Sequence, residues 1–437
     1  MSGRKVLIVL LALLCASAFS AQPRNQQQQQ QQSGSISGEV KDEQGRGIIR
    51  YAGVVPKDAG PQKRLGLFIG LHGKGGDEKQ QVGEIAKVLA ACKLSREYMI
   101  LGLKSKGEGW TDEDHEPIAK AIAWALKEYP VDPRRVYTLG YSSGAFGVGR
   151  FAPRHQNLVA AGIMLAGGLW DPPKAPDGGE AAVQLYLIHG EKDTTVPVKS
   201  GHEACERLKS ANYRFVWHEL TGADHGVGGP GSLPMKQDAI RWAHAQRNRL
   251  VPLSDDERKA LDEITTKLKD GKSSLPQAAC ARLADLAGPE VDAALVLASQ
   301  SERREARLMV ATLCQQRIYG KPVFEALAAL LKDKDTQVRA AAAQALGLAA
   351  NWQHAEARDA LCTCAKDASA ANADRVNSAG QLGVCVPLQL FCVNRDAQIS
   401  ETFNALMEDK NPQLKQLAKL ALDGKLVPAA GGFQVKQ

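Results

Sequence analysis

The stretch Val136–Gly149, "VYTLGYSSGAFGVG", runs from an apolar segment into two adjacent serines with glycines on both sides. Its segment "GYSSG" (140–144) is a G-x-S-x-G pattern between a predicted strand and a helix-like segment. On so tight a turn the central residue is strained and flanking side chains would clash, so glycines are needed. The pattern predicts that Ser142 is displayed for chemistry and that Ser143 contributes its backbone. The alternative interpretation is a plain helix N-cap after a close turn.

The segments around this turn alternate between apolar strand patterns and amphipathic helix patterns over residues 39–250. The strand candidates are "LGLFIGLHG", "YMILGLKS", "RVYTLGYS", "VAAGIMLAGG", "VQLYLIHGE" and "YRFVWHELTG". Strands that alternate with helices imply crossover connections and a mostly parallel sheet. Their nearly continuous apolar character is typical of a sheet covered on both faces. We therefore predict an α/β domain over residues 39–250.

The character of the sequence changes near residue 252, after which only helical patterns rich in Ala and Leu occur. The segments "DKDTQVRAAAAQALG" and "DKNPQLKQLAKLALDG" look like copies of one unit, in which Val338 and Leu414 are equivalent. Val376 lies midway between them, which gives a period in the high thirties of residues. Such a period predicts an α-solenoid over residues 254–437. The first copy resembles HEAT-type repeats, and the alternative is a plain helical bundle.

A serine hydroxyl needs a base and an orienting carboxylate before it becomes a useful nucleophile. In folds with this turn the chain order is Ser, then Asp or Glu, then His. Asp193 follows the strand "VQLYLIHG", and His225 lies in the glycine-rich loop after "YRFVWHEL". We predict that Asp193 orients His225 and that His225 acts as general base on Ser142. Glu191 and Asp224 are the competing carboxylates.

A developing oxyanion needs preorganised N–H donors. "LGLFIGLHGKGGDEK" ends in a glycine-rich turn, so Gly73 and Lys74, together with the Ser143 N–H, are the predicted oxyanion hole. The alternatives for this turn are an ordinary strand-to-helix connection or a phosphate cradle, although the glycine spacing of a P-loop is absent. Trp110, in "KGEGWTDEDHE", is predicted either to line the substrate pocket or to pack in the core.

The motifs "LHGKGG", "GYSSG", "HGEKDTTVPV" and "GADHG", in this order, resemble the α/β-hydrolase superfamily. They are most similar to its phospholipase/carboxylesterase, polyhydroxybutyrate-depolymerase and feruloyl-esterase groups, over residues 66–247. The resemblance implies a serine esterase that forms an acyl-enzyme without a cofactor. Ala145 departs from the glycine of many relatives, and the short "GLWDPPKAPDGG" predicts no large lid. The alternative functions are a serine peptidase of the same fold and a helical-repeat scaffold that carries a hydrolase-like module.

The N-terminus has the features of a secretory signal. Arg4 and Lys5 precede "VLIVLLALL", and small residues follow, with Ala18 and Ser20 at the spacing a signal peptidase accepts. We predict a signal peptide over 1–20, export to the periplasm or medium, and a disordered Gln-rich spacer over 21–38. A lipoprotein cysteine at Cys15 is disfavoured because bulky Leu14 precedes it.

The charge pattern and the cysteines limit the partners. The formal net charge of +7 is spread along the chain, which argues against nucleic-acid binding, and no later apolar run has transmembrane length. We expect an ester as substrate, small or polymeric, and a possible protein partner on the helical repeats. Cys362, Cys364, Cys385 and Cys392 lack the spacing typical of zinc, so disulfides or buried thiols are favoured and no metal is predicted.

Overall fold

The computed structural model describes residues 34–60, 63–175, 179–270, 277–429 and 432–436. The predicted signal peptide lies outside the described residues, as does the predicted spacer up to residue 33. Strand β1 begins at Gly34 and pairs along its length with the next strand. The prediction of a disordered spacer is therefore wrong for residues 34–38, because their backbone groups join a sheet.

The first half of the chain forms one eight-stranded sheet in the order β1-β2-β4-β3-β5-β6-β7-β8. Strand β2 is antiparallel to β1 and β4, and the strands from β4 to β8 run parallel. This order, with a serine turn after β5, is that of the α/β-hydrolase fold. The strands are β1 (Gly34–Lys41), β2 (Gly47–Val55), β3 (Leu65–Leu71), β4 (Tyr98–Leu103), β5 (Val131–Tyr141), β6 (Ala161–Leu165), β7 (Gln184–Gly190) and β8 (Phe215–Leu220).

Helices cover both faces of this sheet, as the unbroken apolar strands require. Alternate residues of one strand serve opposite faces, so Leu67 and Phe68 of β3 belong to different cores. Helices α1 (Gln80–Ala91) and α5 (Ser232–Ala245) pack on the face of Phe68. The face of Leu67 is covered by α2 (His115–Glu128), α3 (Ser143–Phe151) and α4 (Lys199–Ser210).

The second half of the chain is a region of packed helices. Helices α11 (Thr336–Asn351), α13 (Asn372–Gly383) and α16 (Pro412–Leu422) pack side by side in that order. They carry the equivalent positions Val338, Val376 and Leu414. The Arg339 guanidinium bonds the Asp374 carboxylate at 2.8 Å and so ties α11 to α13. The helices are α6 (Asp255–Asp270), α7 (Gln277–Arg282), α8 (Pro289–Ser299), α9 (Arg304–Leu313), α10 (Lys321–Leu330), α11 (Thr336–Asn351), α12 (Ala355–Lys366), α13 (Asn372–Gly383), α14 (Val386–Gln389), α15 (Ala397–Met407) and α16 (Pro412–Leu422), followed by the hairpin β9 (Leu426–Ala429) and β10 (Gly432–Val435). The HEAT-type assignment of these helices stays a prediction.

The helical region shares one continuous core with the α1/α5 face of the sheet. At the boundary, the buried Asp238 of α5 accepts hydrogen bonds from Tyr186 Oη (2.8 Å), Asn351 Nδ2 (3.0 Å) and Trp352 Nε1 (3.3 Å). Burial raises the pKa of this carboxyl, although the three donors oppose the change. The two halves are thus joined by packed side chains and a buried polar cluster.

The helical region also covers the edge of the sheet formed by β8. Residues 391–394 lie along β8, where the Val393 N–H donates to the Glu219 carbonyl at 2.8 Å. The Thr221 N–H donates to the Phe391 carbonyl at 2.9 Å, and Leu220 and Cys392 form an antiparallel bridge between these two bonds. An uncovered edge strand presents unpaired backbone groups and invites aggregation. This segment therefore satisfies the edge of β8.

The eight cysteines among the described residues are all unpaired. Cys385 is buried, and burial raises the pKa of its thiol. Of the interpretations left open by the sequence, the buried thiol fits this residue. Within the described ranges no group of His, Cys, Asp and Glu side chains could hold a metal ion, and no helix is long and apolar enough to cross a membrane.

Candidate active site

The turn that carries Ser142 connects β5 directly to α3. Ser142 has φ 54° and ψ −117°, a left-handed conformation that costs roughly 1–3 kcal/mol in a residue with a β-carbon. A β-carbon on Gly140 would lie 2.1 Å from the Gly144 carbonyl oxygen, and one on Gly144 would lie 2.0 Å from the Leu71 oxygen. Only glycine fits at both flanking positions. The spacing of "GYSSG" is therefore imposed by the turn, which places Ser142 at the carboxyl end of β5.

Three distant segments meet at this serine. His225 Nε2 lies 2.9 Å from Ser142 Oγ, and His225 Nδ1 lies 2.7 Å from Asp193 Oδ2. Asp193 follows β7 and His225 follows β8, so all three side chains stand at the carboxyl edge of the parallel sheet. The Asp193 side chain is fully buried, whereas that of His225 is 19% exposed. The arrangement brings together the three residues predicted as nucleophile, orienter and base.

The carboxylate of Asp193 is held in one orientation. Its Oδ1 accepts the N–H groups of Thr195 (2.9 Å) and Val196 (2.8 Å), which leaves Oδ2 to face the imidazole. Burial alone would raise the pKa of Asp193, but the hydrogen bonds from His225 and from these two N–H groups outweigh burial and lower it. A charged Asp193 favours a proton on His225 Nδ1. Nε2 is then free to accept the hydroxyl proton of Ser142.

A second histidine contacts the same carboxylate. His189 Nε2 lies 3.1 Å from Asp193 Oδ2 and 2.8 Å from the Val196 carbonyl oxygen. The His189 side chain is buried at the end of β7. The contact between His189 and Asp193 carried no sequence signal beyond a spacing of four residues.

The competing carboxylates are engaged elsewhere. Glu191 Oε2 accepts the Gly222 N–H at 2.7 Å, and Asp224 Oδ1 accepts the Gly226 N–H at 3.0 Å. Within the described part of the chain, Asp193 is the carboxylate hydrogen-bonded to His225. The geometry therefore favours Asp193 over both alternatives.

Two of the three predicted oxyanion donors are free. The turn 72–76 lies beside the nucleophile, because a β-carbon on Gly73 would be 3.7 Å from Ser142 Cβ. The Gly73 N–H donates to Gln80 Oε1 at 3.2 Å, so it is not a free donor, contrary to the prediction. The N–H groups of Lys74 and Ser143 have no hydrogen-bond acceptor among the described residues. These two groups are the candidate donors to a substrate carbonyl.

Trp110 does not line an open pocket. It is 5% exposed, its indole N–H donates to the His72 carbonyl at 2.9 Å, and its β-carbon abuts Gly147. Its main-chain N–H donates to Ser143 Oγ at 3.3 Å. The prediction that Trp110 binds substrate is therefore wrong, because the ring is packed in the core beneath the serine turn. Trp110 instead supports the turn at residue 72 and the start of α3.

The helical region contacts both ends of the loop that carries His225. At its start, the Thr221 N–H donates to the Phe391 carbonyl. At its end, a β-carbon on Gly231 would lie 2.6 Å from Phe391 Cβ, so the Phe391 side chain packs directly on this glycine. One residue of the helical region thus holds the loop between β8 and α5. Nothing in the local sequence around residue 391 indicated this contact.

Comparisons with known proteins found relatives of the first half of the chain. No protein-family model matches the sequence. The acetylxylan esterase A of Aspergillus oryzae is 26% identical over 122 positions, which cover 21% of this chain and 40% of that protein. A probable acetylxylan esterase A of Aspergillus flavus matches to the same extent. The chain thus spans about two fifths of the length of these curated relatives.

Solved structures of esterases are also similar to this half. A thermostable esterase is 24% identical, with 49% of this chain and 63% of that chain covered, at a TM-score of 0.39. An acetyl xylan esterase from Aspergillus awamori is 16% identical, with 47% and 98% covered, at a TM-score of 0.37. These structures, like the curated relatives, are carboxylic ester hydrolases by name.

Proposed function

We propose that this protein hydrolyses carboxylic esters through an acyl-enzyme on Ser142. The observation that carries the proposal is the imidazole of His225, which lies within hydrogen-bond distance of both Ser142 Oγ and Asp193 Oδ2. Nucleophile, base and orienter in such contact are the signature of an activated serine. The similarity to acetylxylan esterases supports an ester over other acyl substrates.

In the proposed reaction, Ser142 Oγ attacks the acyl carbon while His225 Nε2 takes the hydroxyl proton. Asp193 stabilises the imidazolium that forms. Negative charge on the former carbonyl oxygen faces the N–H groups of Ser143 and Lys74, and one such donor contributes about 3–4 kcal/mol to transition-state stabilisation. The alcohol leaves with the proton from His225. Water then attacks the acyl-enzyme with His225 again as base, which releases the acid and restores Ser142.

We also propose that the protein is exported and that its helical region offers a surface to a protein partner. The first proposal is supported by the basic, apolar and small-residue segments of residues 1–20. The second is supported by the general use of stacked helices as extended binding surfaces.

A substrate panel tests the catalytic proposal. The wild type should hydrolyse p-nitrophenyl acetate or butyrate, and should be far slower on peptide p-nitroanilides. Ser142→Ala should lower kcat at least about 10⁴-fold, as loss of the nucleophile does in a serine triad. Turnover that survives this substitution, or a preference for the anilides, would contradict an esterase centred on Ser142.

A further inference from the structure

A cavity of about 350 Å³ lies between α1, α5 and the sheet strands β5 and β6. This volume is at the lower end of the ~300–1,000 Å³ that small-molecule sites occupy. The cavity is on the face of the sheet opposite to α3, so it is separate from the space occupied by Trp110.

The cavity lies beside the residues that flank the reacting groups in the chain. Tyr141 and Gly226 line it, and they are the chain neighbours of Ser142 and His225 respectively. Tyr141 lines the cavity, and its ring centroid lies 5.2 Å from that of His225. A group attached to an ester bound at Ser142 would have to pass Tyr141 or Gly226 to enter this space.

One part of the cavity wall is apolar. Leu139 and Ile163 come from the sheet, Ile85 from α1, and Ala239 and Ile240 from α5, and all five are buried. This part of the wall favours an apolar occupant, because the transfer of methylene groups from water into an apolar environment is favourable.

Polar groups stand on the helix side of the same cavity. Gln80, Gln81 and Glu84 of α1 and Lys236 of α5 line it. Gln81 is only 3% exposed, and its Oε1 has no hydrogen-bond partner among the described residues. A buried acceptor without a partner is unfavourable. The cavity therefore combines an apolar part with a polar helix side, and the unpartnered amide oxygen of Gln81 limits how well the cavity holds a pure hydrocarbon chain.

We propose that this cavity binds an apolar alkyl group of the ester substrate, several carbons longer than acetyl, and that Ala239 and Ile85 set the length accepted. The proposal rests on the esterase function proposed for Ser142. The alkyl group belongs to the acyl or the alcohol part of the ester, and two substrate series distinguish these sources.

The test compares kcat/KM across p-nitrophenyl acetate to octanoate and, separately, across methyl to hexyl acetate. Ala239→Leu fills the cavity, so the ratio of the hexanoate rate to the acetate rate, or of the hexyl to the methyl ester, should fall at least about tenfold. Ile85→Ala enlarges the cavity and should shift the preferred length upward in the same series. Gln81→Leu removes the unpartnered acceptor and should lower KM for the longer esters. The responding series identifies the part of the ester that is bound.

Ile118→Ala is the matched control, because Ile118 is equally buried but lies on α2, against the other face of the sheet. It should lose stability like Ile85→Ala and leave the length ratio unchanged. Ratios that stay constant in both series for Ala239→Leu and Ile85→Ala, with acetate still hydrolysed, would overturn the cavity assignment alone. A wild type that hydrolyses no ester would overturn the catalytic proposal and this one with it. If Ala239→Leu does not fold, Ile85→Ala and Gln81→Leu still test whether the cavity sets the ester length that is accepted.

Discussion

Replacing Asp193 with asparagine tests whether this carboxylate sets the tautomer of His225. The N–H groups of Thr195 and Val196, 2.9 and 2.8 Å from Oδ1, require an acceptor there, so the asparagine oxygen must occupy that position. The amide NH2 then takes the place of Oδ2, 2.7 Å from His225 Nδ1. A donor at this point forces Nδ1 to accept a hydrogen bond. The ring proton moves to Nε2, which can no longer take the proton of Ser142.

The expected loss follows from that change. In a well-characterised serine triad the same exchange lowers kcat about 10⁴-fold, which corresponds to about 5.4 kcal/mol at about 1.36 kcal/mol per factor of ten. KM should change far less, because the Asp193 side chain is fully buried. The assay is steady-state hydrolysis of p-nitrophenyl acetate by Asp193→Asn, with the fold checked by circular dichroism.

Asp224→Asn is the matched control, since Asp224 adjoins His225 in sequence and its carboxylate accepts the Gly226 N–H. It should keep kcat within about threefold. The reasoning about the tautomer is refuted if folded Asp193→Asn retains more than a tenth of the wild-type kcat, or if Asp224→Asn loses as much.

Three further predictions concern the surroundings of the site. Ser143→Ala keeps the oxyanion N–H and loses one hydrogen bond to the loop before α2. The kcat should therefore fall less than tenfold, and the free energy of unfolding should fall by about 1 kcal/mol. A fall in kcat as large as that of Ser142→Ala would contradict the assignment of roles. Phe391→Ala should loosen the loop that carries His225 and lower kcat by about tenfold or more. Leu390→Ala, at a neighbour that is similarly exposed, should leave kcat unchanged. Equal kcat in both variants would disprove that Phe391 holds this loop in place. Burial lowers the pKa of His218 and His354 to about 3, so between that value and ~6.5 the unfolded chain binds protons that the native state does not. On acidification below pH ~6.5 the free energy of unfolding should therefore fall by up to about 1.4 kcal/mol per pH unit for each histidine. A melting temperature that stays constant from pH 7 to 5 would contradict this.

The triad could be predicted from the sequence because each member follows a strand pattern. Parallel strands bring their carboxyl ends to one edge, so Ser142, Asp193 and His225 need no long-range information beyond the order of the strands. The glycines around Ser142 add a steric requirement that is visible in the sequence itself.

The contacts that surround the catalytic residues were predicted less well, because they depend on where distant side chains pack. The Gly73 N–H donates to the side chain of Gln80, seven residues along the chain. This hydrogen bond depends on where α1 begins, because Gln80 is its first residue. The loop around Trp110 left a pocket-lining and a core position open, and the structure encloses the ring in the core, where a carbonyl accepts its indole N–H.

The contacts between the two halves had no sequence signal at all. Helical periodicity indicated which residues of the second half are apolar, but an apolar stripe does not say which surface covers it. Asp238 meets Trp352 across 114 residues, and Thr221 meets Phe391 across a still longer separation. Such pairings depend on the docking of whole helices against β8 and α5.

The most direct measurement of the central claim is covalent labelling with a fluorophosphonate probe, followed by mass spectrometry of the proteolysed protein. The account predicts a single adduct on the peptide that contains residue 142, lost in Ser142→Ala, retained in Ser143→Ala, and formed much more slowly when His225 is replaced by alanine. An active preparation that carries the adduct on another residue, or that reacts equally fast without His225, would contradict it.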